Sequence, residues 1–186
     1  MRAGHNYHRF SGWRLIALLV VFFAYTFWFA SIGPFGELTR LENYDYLQGR
    51  GFYTGAEAVA AIESLSAEGR RLKFTELGLD LIYMVLQMWV FEALIAFGLA
   101  GLGLMKSKWR WILLAPIGFL VFDFLEDASL ALVMTTSSEI IGSFAGVFTL
   151  LKFVSFVPLI FISLVLAVAG IVARILRKRN REPESD

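Results

Sequence analysis

Residues 116–127 have the sequence PIGFLVFDFLED, an apolar run with three acids near its end. Asp123, Glu126 and Asp127 are spaced i, i+3 and i+4, so a helix places all three on one face. The run lies inside an apolar segment, about 109–134, that is long enough to cross a bilayer. Because an acid near the bilayer centre costs roughly 2.5–3.5 kcal/mol, we expect these side chains to face other helices or a wet cavity, not lipid.

Three other segments have the length and apolar character of a membrane span, at about 13–32, 77–104 and 140–175. Of the 186 residues, 58% are hydrophobic and 18% are charged, which excludes an ordinary soluble domain. We therefore predict an all-α integral membrane protein. Its single domain, residues 1–186, is expected to form a four-transmembrane-helix bundle.

Positive charge is concentrated in an N-terminal tail (1–12), in the loop around 106–110 and in a C-terminal tail (176–186). The positive-inside rule places such segments in the cytoplasm. The segment 33–76 then becomes an outer loop, and both termini lie inside. This assignment agrees with an even number of spans and predicts a multi-pass protein of the cell membrane.

The outer loop contains a signal for a helix of its own. Residues 54–57 read TGAE, which matches the capping box, in which Thr54 and Glu57 satisfy the free amides of a first helical turn. Val59, Ile62 and Leu65 then recur at helical spacing. The loop is therefore predicted to carry a short amphipathic helix, lying on the membrane surface or on the bundle.

The candidate site combines the three acids of the third span with polar residues of its neighbours. Lys152, in the fourth span, lies at a depth that overlaps Asp123 when residues are counted inward at 1.5 Å each. Asp80 and Tyr83 share a face near the outer end of the second span. The predicted ligand-binding or ion-binding residues are Asp80, Tyr83, Asp123, Glu126, Asp127, Lys152 and, from the loop, Arg70.

One lysine cannot neutralise three carboxylates. The remaining acids are expected to share a proton, to bind an added cation, or to reach the loop arginines. If a metal binds, its ligands would be Asp123, Glu126 and Asp127. The alternative is that the acids serve only as polar contacts between helices and bind nothing.

Composition excludes several other chemistries. The chain has no cysteine, so thiolate metal sites, disulfides and iron–sulfur clusters are absent. Its two histidines lie in the N-terminal tail, and no phosphate-binding loop or nucleophile elbow occurs. The net charge of +1 gives no basic excess for nucleic acid. No cofactor and no catalytic residue is assigned from the sequence.

Several motifs resemble those of a family of small, uncharacterised bacterial four-span membrane proteins. They are the run 51–71, residues 79–83, and Pro116 with 123–127. In that family the third helix ends in an Asp-x-x-Glu-Asn pattern, and Asp127 stands here in place of the Asn. The resemblance implies a bacterial inner membrane and no known activity, and it groups Arg70, Asp80, Asp123 and Glu126.

Three functions follow from these features. The first is binding or transport of a proton, a small cation or a cationic ligand at the buried acids. The second is an accessory or assembly subunit of a larger membrane complex, since the small-residue spacing at Gly142 and Gly146 suits helix packing within the chain, with partner membrane proteins or in self-association. The third is a lipid-head-group enzyme at the outer interface, with Arg70 and Arg71 holding a phosphate. All three functions require the protein to be embedded in a lipid bilayer, which is therefore its expected partner.

Overall fold

A computed structural model describes residues 12–42 and 47–180 of the chain. Within these ranges the secondary structure is helical and contains no strand. The helices are α1 (Gly12–Ser31), α2 (Pro34–Glu42), α3 (Gly55–Glu63), α4 (Ala67–Leu102), α5 (Ala115–Thr136) and α6 (Glu139–Arg179). Short 3₁₀ turns form at Leu47–Gly49 and Lys108–Leu114. Of the predicted tails, 1–12 and 176–186, residues 1–11 and 181–186 lie outside the described residues, and residues 176–179 belong to α6.

Three helical segments are long and apolar enough to cross a membrane: Gly12–Glu42, which joins α1 and α2, then α4 and α6. The 22 residues of α5 also reach the necessary length. Its three acids, however, give α5 a composition that hydropathy alone does not assign to a span. The all-helical prediction is therefore confirmed, while length and composition support three of the four predicted spans.

The helix α4 lies at the centre and contacts every other helix that builds the site. It runs antiparallel to α5, because Leu77 packs near Leu130 while Phe91 packs against Phe119. It runs parallel to α6, because Gly98 meets Leu166 and Gly101 meets Gly170. A Cβ atom at Gly98 would overlap the carbonyl group of Leu166, so glycine permits the close approach of these two helices.

The predicted amphipathic helix forms as α3 and packs against the bundle. Its capping box is complete: the hydroxyl of Thr54 accepts from the amide of Glu57, and the Glu57 carboxylate accepts from the amide of Thr54. Ile62 of this helix is buried against the bundle. The neighbouring carbonyl of Tyr53 lies against Gly146 of α6, so this small-residue face is covered from within the chain.

Two helix boundaries differ from the hydropathy-based prediction. The helix α4 begins at Ala67, well before Leu77, because Ser66 caps its N-terminus by accepting from the amide of Gly69. Polar residues that were expected in the loop are thus helical. The predicted start of the third span also moves, since residues 108–114 form a 3₁₀ turn and α5 begins beside Pro116.

Candidate functional site

Polar side chains form a stripe along the face of α4 that meets α5 and α6. The stripe consists of Lys73, Glu76, Asp80, Tyr83 and Gln87, each three or four residues after the last. Four of these side chains are buried and Tyr83 is half-buried. The stripe begins in the part of α4 that precedes the apolar segment, so it extends from the end that packs against residues 47–53 into the interior of the bundle.

Lys152 of α6 forms the first charged centre. Its Nζ lies 2.9 Å from Oδ1 of Asp123 and also contacts Oε2 of Glu126. The other oxygen of Glu126 accepts a hydrogen bond from the hydroxyl of Thr149, and the Tyr53 hydroxyl lies 3.4 Å from it. Glu126 is completely buried, so every contact that offsets its charge comes from the protein.

Lys73 of α4 forms the second charged centre. Its Nζ is fully buried and lies 2.7 Å from Oε2 of Glu76. It also donates to Oε1 of Gln48, at 2.9 Å, and the amide nitrogen of Gln48 donates to Oδ1 of Asp127, at 2.7 Å. Gln48 belongs to the 3₁₀ turn Leu47–Gly49, so this turn connects the lysine to the acids of α5.

Asp80 lies between these two centres. Its carboxyl group lies close to that of Asp127, and because two neighbouring carboxylates in an apolar interior repel each other, a proton on one of them is favoured. Within the described part of the chain, the second oxygen of Asp127 accepts no hydrogen bond. Neither lysine makes a direct contact with Asp80 or Asp127.

The buried charges of this cluster do not balance within residues 12–42 and 47–180. Its two lysines face five carboxyl groups, those of Glu76, Asp80, Asp123, Glu126 and Asp127. An isolated carboxylate in an apolar interior is strongly unfavourable. Protons or added cations must therefore neutralise the surplus.

A cavity of about 170 Å³ opens beside Asp80. The exposed Gly49 is one of its lining residues. Gln87, two turns further along α4 than Asp80, is another. Its lining contains Asp80, Asp123 and Lys152 together with the rings of Tyr83, Phe119, Phe153 and Phe156. This volume holds several water molecules or a ligand of a few heavy atoms.

The structure brings together six of the seven residues predicted for the site: Asp80, Tyr83, Asp123, Glu126, Asp127 and Lys152. Arg70 is the exception. It is half-buried one turn before Lys73 and makes no hydrogen bond or ion pair with the described residues, while Arg71 pairs with Glu68 at the surface. The turn that carries Gln48 brings a neutral amide to Asp127, where a loop arginine was expected.

No cluster of three acidic or histidine side chains within the described ranges has an arrangement suited to a metal ion. The acids predicted as metal ligands are separated by their other partners. Asp123 and Glu126 face Lys152, whereas Asp127 faces Gln48 and Asp80. The arrangement therefore suits protons or a cation held by one or two carboxylates better than it suits a multidentate metal centre.

The predicted site did not include several members of the cluster: Lys73, Glu76, Gln48, Tyr53 and Thr149. Extending the second helix toward its N-terminus would have revealed Lys73 and Glu76, because both continue the spacing that starts at Asp80. The other three carry no comparable signal. Gln48 and Tyr53 reach the acids of α5 only because the segment between α2 and α3 folds back over the bundle.

Comparison with protein-family models, with curated proteins and with solved structures finds no match.

Proposed function

We propose that this chain is a four-span membrane protein that binds a proton or a cationic ligand at its buried carboxylates and exchanges it with the outer side. The observation that carries the proposal is the excess of five buried acids over two lysines in a cluster, two of whose acids, Asp80 and Asp123, line a cavity. Acids serving only as contacts between helices would be matched by donors. Here Asp80 lines a cavity, and the polar side chains close to it include the acids Asp123 and Asp127.

The direction of the helices supports a membrane crossing by α5. Since α4 and α6 run parallel and both have the character of spans, the chain must return across the membrane between them. The helix α5 is the antiparallel segment in that position, and its 22 residues have a length of about 33 Å. With α1 as the first span, both ends of the chain lie on one side, as the distribution of positive charge predicts.

Cysteine labelling tests this topology directly, because the chain has no cysteine of its own. The exposed positions Lys106, Thr136 and Asn180 are each replaced by cysteine in separate variants. A membrane-impermeant maleimide is expected to label Thr136→Cys in intact cells, and Lys106→Cys and Asn180→Cys only after permeabilisation. Labelling of Lys106→Cys and Thr136→Cys from the same side would contradict a span at α5.

Replacement of Asp80 tests the site. Asp80→Asn removes the acid that faces the cavity and leaves both lysine ion pairs intact. The matched control is Glu92→Gln on the same helix, which lies outside the cavity lining. Proteoliposomes with a trapped pH indicator report proton movement, and calorimetry on the purified protein reports cation binding.

The expected result is cation-linked proton release in the wild type, a loss of at least tenfold in Asp80→Asn and no loss in Glu92→Gln. Wild-type protein that neither releases protons nor binds any cation would refute the proposed function. Equal losses in both variants would also refute the assigned site, since Glu92 has no contact with it.

A further inference from the structure

The cavity beside Asp80 has an aromatic wall that charge balance alone does not require. Tyr83 of α4, Phe119 of α5, and Phe153 and Phe156 of α6 all line it. Phe119 and Phe156 stack at 5.2 Å between ring centroids, and each also meets Phe91 edge-on. This packing holds the deeper part of the wall in place.

Asp80 provides a negative anchor at this wall. It is nine-tenths buried and is one of the two acids that line the cavity, the other being Asp123. Both lysines of the cluster are committed to other acids: Lys152 to Asp123 and Glu126, and Lys73 to Glu76. Between the two charged centres, a cation in the cavity would therefore supply the positive charge that Asp80 and Asp127 lack.

Aromatic rings beside a carboxylate favour one class of cation. A hydrated inorganic ion gains little from ring faces and needs several oxygen ligands, and the described acids form no cluster of that kind. An alkylammonium ion carries its charge on a group with apolar surroundings, which aromatic faces attract. The volume of about 170 Å³ limits such a ligand to a few heavy atoms.

We propose that the ligand of this cavity is a small organic ammonium cation, with its charge at Asp80 and its apolar groups against Phe119, Phe153 and Phe156. The inference rests on the proposed function and specifies its substrate class. The exposed Gly49 marks the side of the 3₁₀ turn from which the ligand enters.

The experiment measures binding of methylammonium, tetramethylammonium, sodium and potassium chlorides to the full-length protein in nanodiscs by calorimetry. Two variants probe the two halves of the site. Asp80→Asn removes the anchor. Phe153→Leu removes one ring of the wall and leaves the ring contacts among Phe91, Phe119 and Phe156 in place.

Their matched controls are Glu92→Gln on α4 and Phe161→Leu on α6, where the Phe161 ring is exposed on the outside of the bundle. We expect at least one of the two ammonium ions to bind tenfold or more tightly than sodium or potassium. Asp80→Asn is expected to weaken that binding at least tenfold. Phe153→Leu is expected to weaken binding of the organic cation severalfold and to leave the affinity for inorganic ions unchanged. Both control variants should bind each cation as the wild type does.

Equal binding of all four cations, or organic binding that Phe153→Leu leaves intact, would overturn the assignment of substrate class while the proposed function stands. Proton release without binding of either ammonium ion would have the same consequence. Absence of both cation binding and proton release would overturn the two proposals together. Since thermal unfolding of each variant is measured in parallel and Phe153→Leu spares the charged groups, a misfolded Asp80→Asn does not remove the test.

Discussion

Replacing Lys73 by methionine tests whether the second charged centre stabilises the protein as its geometry indicates. Methionine has a similar length and no charge. The substitution leaves Glu76, which is 2% exposed, without the ammonium group that lies 2.7 Å from it. It also removes the donor to Gln48, whose other end holds Asp127.

Breaking a buried ion pair by removing one partner costs about 3–5 kcal/mol, because the other charge stays buried without compensation. The lost hydrogen bond to Gln48 belongs to the same network, so its cost of about 1–3 kcal/mol does not simply add. We therefore expect Lys73→Met to lower the free energy of unfolding by about 3–5 kcal/mol. The double variant Lys73→Met/Glu76→Leu is expected to recover most of this loss, since an apolar pair of similar volume often replaces a buried ion pair at little cost.

The assay is reversible unfolding by SDS in mixed micelles, followed by tryptophan fluorescence and circular dichroism. Arg71→Met is the matched control, two residues earlier on the same helix, where Arg71 pairs with Glu68 in full contact with solvent. Its free energy of unfolding is expected to stay unchanged. Wild-type stability in Lys73→Met, or a double variant less stable than the single one, would refute the reasoning.

Two further substitutions test the packing and the outer helix. Gly98→Ala is expected to lower the free energy of unfolding by about 1–3 kcal/mol in the same assay, because the new methyl group overlaps the carbonyl of Leu166. Gly118→Ala, where a Cβ meets open space, is its control and should be neutral or stabilising by up to about 1 kcal/mol. Thr54→Ala removes the cap of α3 and is expected to cost about 1 kcal/mol, with faster amide exchange in residues 55–58. Hydrogen bonds from the amide and the hydroxyl of Thr54 hold the pKa of Glu57 below its usual 4.5. The amides of residues 55–58 should therefore stay protected from exchange above that pH and lose protection as the pH falls below it. Protection that is constant down to pH 3 would contradict this cap.

Local signals in the sequence were sufficient for most of the helices and for part of the site, although α2 (Pro34–Glu42) was not predicted. Apolar length places both ends of α1 and the start of α6 to within about a residue, but α6 continues to Arg179, into residues 176–179 that were predicted as tail, because a helix does not end where its apolar run ends. The capping box at Thr54 predicts the start of α3 because both of its hydrogen bonds join residues three apart. The spacing of Asp123, Glu126 and Asp127 likewise depends only on helical geometry.

The parts that the sequence left open depend on contacts distant along the chain. Hydropathy cannot mark the start of α4, because residues 67–76 are polar yet helical and partly buried. In the sequence, Lys73 stands among polar residues and is typical of an exposed loop cation, but in the structure it is fully buried. Gln48 joins Asp127 across 79 positions, and no local spacing encodes such a contact. Arg70, three residues before Lys73, has a similar charge and setting in the sequence, so the choice between them rests on tertiary structure.

The composition of α5 explains why the fold and the site depend on each other. Ten of its residues are Leu, Ile, Phe or Val, which together favour insertion by about 3–6 kcal/mol. Three acids at the centre of a span would cost roughly 7.5–10.5 kcal/mol, so α5 alone would not be stable in lipid. Lys152, Thr149 and Gln48 lower that cost only after α6 and the 3₁₀ turn have packed against α5. In the proposed four-span arrangement, a cation bound at Asp80 would lower it further, so occupancy of the site and the stability of α5 in the membrane would be thermodynamically linked.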